Sequence, residues 1–194
     1  MNVLMILGSR DPGGRTAQAA AALARGLQDA GARTETVFLT GSRIERCRQC
    51  NPNGWGACRN EGRCVVEDDF HRLVESIRVC DLVVFATPVY FGDLSETMKA
   101  FLDRLRRVTR HDETRRAIEG KPAVGICVAG GGGGGAPTCA VALEKVLITC
   151  GFDLLDVIPA RRQNLDLKIR LLEATGRWLV ERAQGPAQGS RPCP

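Results

Sequence analysis

Short apolar runs alternate with amphipathic segments along most of this chain, and this alternation restricts the folds open to it. The apolar runs predict five strands, at 2–7, 34–39, 81–86, 123–128 and 152–158. Apolar residues three or four positions apart predict helices at 16–30, 68–77, 96–105, 136–150 and 166–184. Strands and helices that alternate in this way predict a parallel sheet with helices on both faces.

The expected architecture is an α/β fold, a doubly wound five-stranded parallel sheet in a single domain over 1–184. A cysteine-rich insertion at about 45–66 interrupts the alternation after the second strand. The polar stretch 106–120 is expected to be a surface connection. Residues 185–194, which are polar and contain Pro and Gly, are expected to form a disordered tail.

Charge and composition argue against several classes of protein. The net charge of +5 is spread along the chain, and no basic run is interleaved with aromatic residues, so no nucleic-acid partner is expected. No apolar stretch approaches the roughly 20 residues that span a bilayer, so no membrane association is expected. Nine cysteines without an export signal favour a reducing cytoplasmic location, where clustered thiols usually bind metal or do redox work.

Three unusual loops each follow a predicted strand, so they should meet at one edge of the sheet. The first, 8–16, offers hydroxyl groups from Ser9 and Thr16 and free N–H groups at a helix start, which together suit a phosphate group. Its glycine spacing matches neither a Walker loop nor the dinucleotide fingerprint. The loop therefore predicts a phosphate site of another kind.

The other two loops suit a flat, conjugated ligand. Residues 87–92 combine Pro and Gly with two adjacent aromatic residues, Tyr90 and Phe91, whose rings can stack on such a ligand. The run of six glycines at 130–135 lies between a strand and a helix, so it is expected to let backbone approach the ligand closely.

Together, residues 8–16, 87–104 and 130–135 resemble the flavodoxin-like, NAD(P)H-dependent FMN reductases. The resemblance implies a flavodoxin-like sheet with FMN as cofactor and NAD(P)H as co-substrate. Arg10 directly follows Ser9, without the proline that the family has between them. The FMN-binding residues that the resemblance implies are Ser9, Arg10, Arg15, Thr16, Pro88, Val89, Tyr90, Phe91, Gly92, Gly130, Gly131 and Gly132.

The cysteine-rich insertion contains Cys47, Cys50, Cys58 and Cys64 in the spacing C-x2-C-x7-C-x5-C. Four thiolates can hold a [4Fe–4S] cluster or a structural zinc ion, and they can also remain free thiols or include a Cys47/Cys50 redox pair. The iron–sulfur flavoprotein branch of the same family has a compact four-cysteine motif at this place, with its second and third cysteines closer together. The resemblance ranks the cluster first among these alternatives.

The resulting hypothesis is an oxidoreductase that passes electrons from NAD(P)H through FMN to a small acceptor such as a quinone, flavin or disulfide. The cofactor would carry this chemistry, so no catalytic side chain is predicted. Two other classes stay open: an iron–sulfur flavoprotein electron carrier, and a flavin-free interaction protein braced by zinc. The resemblance also implies a homodimer or homotetramer.

Overall fold

The computed structural model describes residues 1–185, so all but the first residue of the predicted tail lies outside the described residues, as does Cys193. The strands are β1 Asn2–Leu7, β2 Arg33–Phe38, β3 Leu82–Pro88, β4 Pro122–Ala129 and β5 Asp153–Arg161. The helices are α1 Arg15–Asp29, α2 Ala57–Asn60, α3 Phe70–Val79, α4 Glu96–Val108, α5 Asp112–Ile118, α6 Ala136–Cys150 and α7 Leu165–Gln184.

The five strands form one parallel sheet in the order β2-β1-β3-β4-β5. This order confirms the predicted flavodoxin-like fold, because the strand sequence reverses direction between β1 and β3. The crevice beyond the carboxyl ends of these two strands is where such sheets bind ligands.

Each face of the sheet is covered by its own set of helices. Along β1, Val3, Met5 and Leu7 face a core formed with α1 and α7, whereas Leu4 and Ile6 face a core formed with α3, α4 and α6. Strands buried on both faces read as continuous apolar runs, which is why the sequence locates them well.

Helices α1 and α7 cross at two glycines, Gly26 and Gly176. A Cβ atom on Gly26 would overlap the backbone oxygen of Glu173, and one on Gly176 would overlap the backbone oxygen of Leu23. The two helix backbones are therefore in direct contact, and no side chain can be added at either crossing position without moving them apart.

The prediction of a surface connection over 106–120 is wrong. Helix α4 continues to Val108, and α5 forms a further short helix over Asp112–Ile118. Asp112 and Glu113 lie in the first turn of α5, where negative charge is favourable, and Thr114 and Ile118 are buried. Two buried positions among charged neighbours are too few to give a recognisable helical pattern.

None of the helices described over residues 1–185 is both long and apolar enough to cross a membrane.

Candidate functional site

The loops that follow β1, β3 and β4 enclose a cleft of about 640 Å³ at the carboxyl edge of the sheet. Ligand pockets of roughly 300–1,000 Å³ are typical of cofactor sites. The three loops singled out in the sequence therefore meet as expected. The lining residues are Ser9, Asp11, Gly14, Arg15, Thr16, Pro88, Val89, Tyr90, Phe91 and the run 128–134.

The first loop is organised by its own side chains around the start of α1. The backbone N–H of Asp11 donates to Ser9 Oγ at 3.3 Å, and that of Gly13 donates to Asp11 Oδ1 at 2.9 Å. Helix α1 begins without a capping side chain and has no acidic residue in its first turn. The start of α1 therefore offers its partial positive charge to the cleft, and the Asp11 carboxylate is the one negative charge among the lining residues beside it.

A buried hydroxyl cluster joins this loop to the second one. The hydroxyl groups of Ser95 and Thr97 donate to the Gly8 carbonyl at 3.0 and 3.2 Å, and the Ser95 N–H donates to Thr87 Oγ1 at 3.1 Å. A Cβ atom at Gly8 would overlap Ser95 Oγ. The end of β1 is thus held directly against the start of α4.

The second loop presents its aromatic residues on a tight turn. Tyr90 and Asp93 exchange two backbone hydrogen bonds, at 3.0 and 2.9 Å, and Phe91 at the tip has a φ of +51°. Tyr90 is half exposed and Phe91 is fully exposed. A hydrogen bond from Lys99, 2.6 Å away, lowers the pKa of Asp93, which keeps this carboxylate charged at the base of the turn.

The third loop is constrained at two of its glycines. Gly133 and Gly135 have φ values of +79° and +78°, and Gly135 approaches Gly92 so closely that a Cβ atom would lie 2.7 Å from its Cα. The side-chain amide of Gln163 donates to the Gly132 carbonyl at 3.0 Å. The glycine run is therefore a fitted part of the cleft, joined to the second loop at Gly92.

Two of the twelve predicted FMN-binding residues are not among those that line the cleft. Arg10 lies in the first loop but is exposed and does not line the cleft, whereas Arg15 does. Gly92 is not among the lining residues and lies close to Gly135. The remaining ten predicted residues all line the cleft.

A second, smaller cavity of about 20 Å³ lies in the cysteine-rich segment between β2 and α3. All four cysteines of the motif line it, together with Arg104 and Arg107 from α4. Cys64 is buried and Cys50 is exposed, and none of the cysteines in the described part of the chain forms a disulfide. Within residues 1–185, no group of three or more His, Cys, Asp or Glu is placed to hold a single metal ion.

The buried side chain of Arg104, on α4, connects the cysteine-rich segment to the rest of the domain through hydrogen bonds. Its guanidinium donates to both carboxylate oxygens of Asp68, at 2.6 and 2.9 Å, and to the carbonyls of Glu45 and Val66 at 3.1 and 3.3 Å. Burial alone would raise the pKa of Asp68, but the hydrogen bonds from Arg104 and from the backbone N–H groups of Glu45 and Phe70 lower it. This buried pair is therefore ionised.

Comparison with known proteins shows to which family the chain belongs. Residues 1–156 match the sequence model of the family described as NADPH-dependent FMN reductase. The chain belongs to this family. FMN is accordingly its cofactor, and the cleft between the three loops has the size and the position in the fold that a flavin requires.

Individual relatives agree with this assignment. The chain is 30% identical to an iron-sulfur flavoprotein of Methanocaldococcus jannaschii over 131 residues, 68% of this chain and 65% of the relative. It is also 30% identical to an iron-sulfur flavoprotein of Methanosarcina thermophila over 135 residues, 70% of this chain and 66% of the relative. The match thus spans slightly less than two thirds of the length of these relatives.

A solved structure shows the same fold. The NAD(P)H:quinone oxidoreductase from Methanothermobacter marburgensis superimposes with a TM-score of 0.63 and 23% identity, covering 92% of this chain and 96% of that one.

Several residues that shape the two cavities were not predicted from the sequence. Gln163 supports the glycine loop from a segment that the family motifs do not include, and Asp11 shapes the first loop through a local turn. Arg104 and Asp68 lie far apart in sequence, so only the fold brings them together. Of these, only Asp11 could have been found, since Asp two residues before Gly is a common turn signal.

Proposed function

We propose that this chain is an FMN-dependent oxidoreductase that takes electrons from NAD(P)H and passes them to a small acceptor such as a quinone, a flavin or a disulfide. The observation that carries the proposal is the meeting of the three loops at the β1/β3 switch point. Family membership supports the same conclusion.

The first loop would hold the FMN phosphate. Ser9 and Thr16 supply hydroxyl groups, Arg15 supplies a positive charge, and the start of α1 supplies backbone N–H groups. Asp11 is the one carboxylate among the lining residues, and its side chain already accepts a hydrogen bond from the Gly13 N–H, so Arg15 and the helix start have to outweigh its charge for an anion to bind there.

The second and third loops would hold the flavin ring. Tyr90 and Phe91 offer aromatic surface at the mouth of the cleft, and the glycine loop offers backbone without side chains. Bound FMN supplies the hydride and electron chemistry, so the protein has to bind, orient and shield it. The exposed rings leave one side of the cleft open to a second ligand.

The four cysteines would hold an iron–sulfur cluster. Four cysteine thiolates are the usual ligand set of a [4Fe–4S] cluster, and here all four line one cavity. The relatives that are named iron-sulfur flavoproteins support this assignment. The cavity has room for about one water molecule, so cluster binding requires the 47–58 loop to move outward.

Anaerobic titration with FMN, followed by addition of NADH or NADPH, tests the flavin part. We expect about one FMN per chain, bleaching of the flavin absorption by one of the two dinucleotides, and continued dinucleotide consumption when an acceptor is added. Protein that binds no FMN even when it is supplied would refute the proposal. FMN that only a protein donor reduces would favour the electron carrier.

Iron and sulfide analysis tests the cluster part, with zinc measured in the same sample. The expected result is about four iron atoms per chain. Cys58→Ser should lose most of this iron, and Cys80→Ser is the matched control because Cys80 is buried away from the cavity. Equal iron loss in both variants, or zinc in place of iron, would contradict the assignment.

The acceptor, the homodimer or homotetramer and the cytoplasmic location stay predictions. Measurement of the mass in solution, with and without FMN, tests the oligomeric state.

A further inference from the structure

The glycine loop lines the cleft with backbone N–H groups that the protein itself does not use. Gly131, Gly132 and Gly134 line the cleft, and none of the described residues accepts a hydrogen bond from their N–H groups. The N–H of Gly133 differs, because it donates to the Gly130 carbonyl at 2.8 Å and closes a tight turn. Each backbone N–H is a strong donor, so the three free ones are available to acceptor atoms of a ligand in the cleft.

A loop made of glycine needs contacts from outside itself to present those groups in one arrangement. Glycine loses more backbone freedom on ordering than any other residue, so ordering this run around a ligand is costly. A contact that holds the loop before the ligand arrives reduces that cost. Gly92 supplies one such contact at Gly135, and Gln163 supplies another at Gly132 and Gly133.

Gln163 contacts the loop without being part of the cleft lining. Its side-chain amide donates to the Gly132 carbonyl at 3.0 Å. A Cβ atom on Gly133 would overlap Gln163 Oε1, so the amide fills the space that a side chain at this position would take. The middle of the loop is therefore fixed by a single side chain.

The fold brings Gln163 to the loop through the pairing of β4 with β5. Arg161, at the end of β5, is in register with Ala129, the residue directly before the glycine run. A short 3-10 helix, Arg162–Asn164, follows, and the Asn164 side chain accepts a hydrogen bond from the Arg161 N–H at 2.8 Å. Gln163 thus lies on an ordered turn at the same edge of the sheet as the loop.

We propose that Gln163 is a positioning residue for the flavin ring: its amide holds the Gly132 carbonyl and so keeps the free N–H groups of Gly132 and Gly134 in place for acceptor atoms of the ring. This inference rests on the proposed function, in which the glycine loop holds the ring of FMN.

A positioning role and a purely structural role differ in what the loss of Gln163 changes. The side chain of Gln163 is exposed, and exposed positions contribute little to the stability of a fold. Its hydrogen bond nevertheless acts on a loop that lines the cleft, so its loss is expected in the affinity for flavin. Because the ring is common to FMN and riboflavin, both ligands should lose affinity by the same factor.

Fluorescence titrations of the flavin-free protein with FMN and with riboflavin test the role. Gln163→Met keeps the length of the side chain without the donor, and it should raise the Kd of both ligands about fivefold. Gln163→Glu keeps the shape but turns a charged acceptor toward the Gly132 carbonyl, so it should raise the Kd further. The melting temperature of flavin-free Gln163→Met should stay within about 2 °C of the wild type.

Gln28→Met is the matched control. The amide of Gln28 also donates a hydrogen bond, to Thr34 Oγ1 at 2.6 Å, but Gln28 does not line the cleft or contact its loops. If Gln163→Met binds both ligands as tightly as Gln28→Met does, or loses affinity for FMN alone, the role of Gln163 is refuted and the proposed function stands. A large fall in the melting temperature of flavin-free Gln163→Met would also refute it, in favour of a structural role. Wild-type protein that binds neither ligand would overturn both.

Discussion

Replacement of Arg104 by methionine is expected to lower the free energy of unfolding by about 3–5 kcal/mol, because it leaves a buried carboxylate without its counter-charge. The side chains of Arg104 and Asp68 are 1% and 0% exposed, so water cannot replace the lost partner. Methionine fills a similar volume, which keeps the contribution of an empty cavity small.

The contacts of the pair support that magnitude. Without Arg104, Asp68 keeps only the backbone donors of Glu45 and Phe70, at 2.8 and 3.1 Å. The carbonyls of Glu45 and Val66 lose a donor as well. Each buried group left unsatisfied costs about 1–3 kcal/mol, so the total reaches the range measured for broken buried ion pairs.

Urea unfolding followed by circular dichroism, at a fixed FMN concentration, measures this effect. For a chain of this size the melting temperature should fall on the order of 10 °C. Arg104→Met combined with Asp68→Asn should be more stable than the sum of the single changes predicts, because the unpaired charge is gone. A loss below about 1 kcal/mol for Arg104→Met would refute the reasoning.

The same pair predicts a dependence on pH. The pKa of Asp68 is below its ordinary value in the folded protein, so the pair contributes fully above the unfolded pKa of about 3.9. Its contribution is lost as the pH falls through the folded pKa. The stability difference between wild type and Arg104→Met should therefore shrink in acid, and a difference that stays constant down to pH 2 would contradict this assignment.

Three further changes test the cleft and the helix packing. Gly135→Ala should weaken FMN binding at least tenfold in a fluorescence titration, about 1.4 kcal/mol, because a Cβ atom would meet Gly92. Gly41→Ala is the control and should leave FMN binding unchanged, because Gly41 lies outside the cleft and a Cβ atom there has nothing within 4 Å. Arg15→Gln should weaken FMN binding but not riboflavin binding, and the exposed Arg10→Gln is its control; equal losses for both ligands would argue against a phosphate contact. Gly26→Ala should cost about 1–3 kcal/mol of stability through overpacking against α7, and an unchanged melting temperature would show that the helices can separate freely.

The strands and the meeting of the three loops were predictable because both depend on patterns within the chain. Buried parallel strands are continuous apolar runs, and their carboxyl ends meet whatever the helices between them do. The position of the glycine loop at the cleft was predictable, but the backbone constraints on its individual glycines were not. Which glycines are constrained depends on Gly92 and Gln163, which approach Gly135 and Gly133 from other parts of the chain.

Long-range pairs account for most of what the sequence did not reveal. Nothing in the local pattern singles out Arg104, which is one of three arginines close together where the predicted helix ends and the predicted surface connection begins. The packing of α4 against the cysteine-rich segment buries Arg104, leaves Arg106 partly exposed and brings Arg107 to the cysteine cavity. Helix α5 was missed for a related reason, because its burial comes from distant partners.

The backbone contact between α1 and α7 has a consequence for how the protein is made. Helix α1 begins at the first loop and is synthesised before α7, which follows the fifth strand. Until α7 emerges from the ribosome, Leu23 and Leu27 lack the partner that buries them. Because domains fold as units during synthesis, the first loop is held in place only once α7 has docked, so we expect FMN to bind only after α7 has been synthesised.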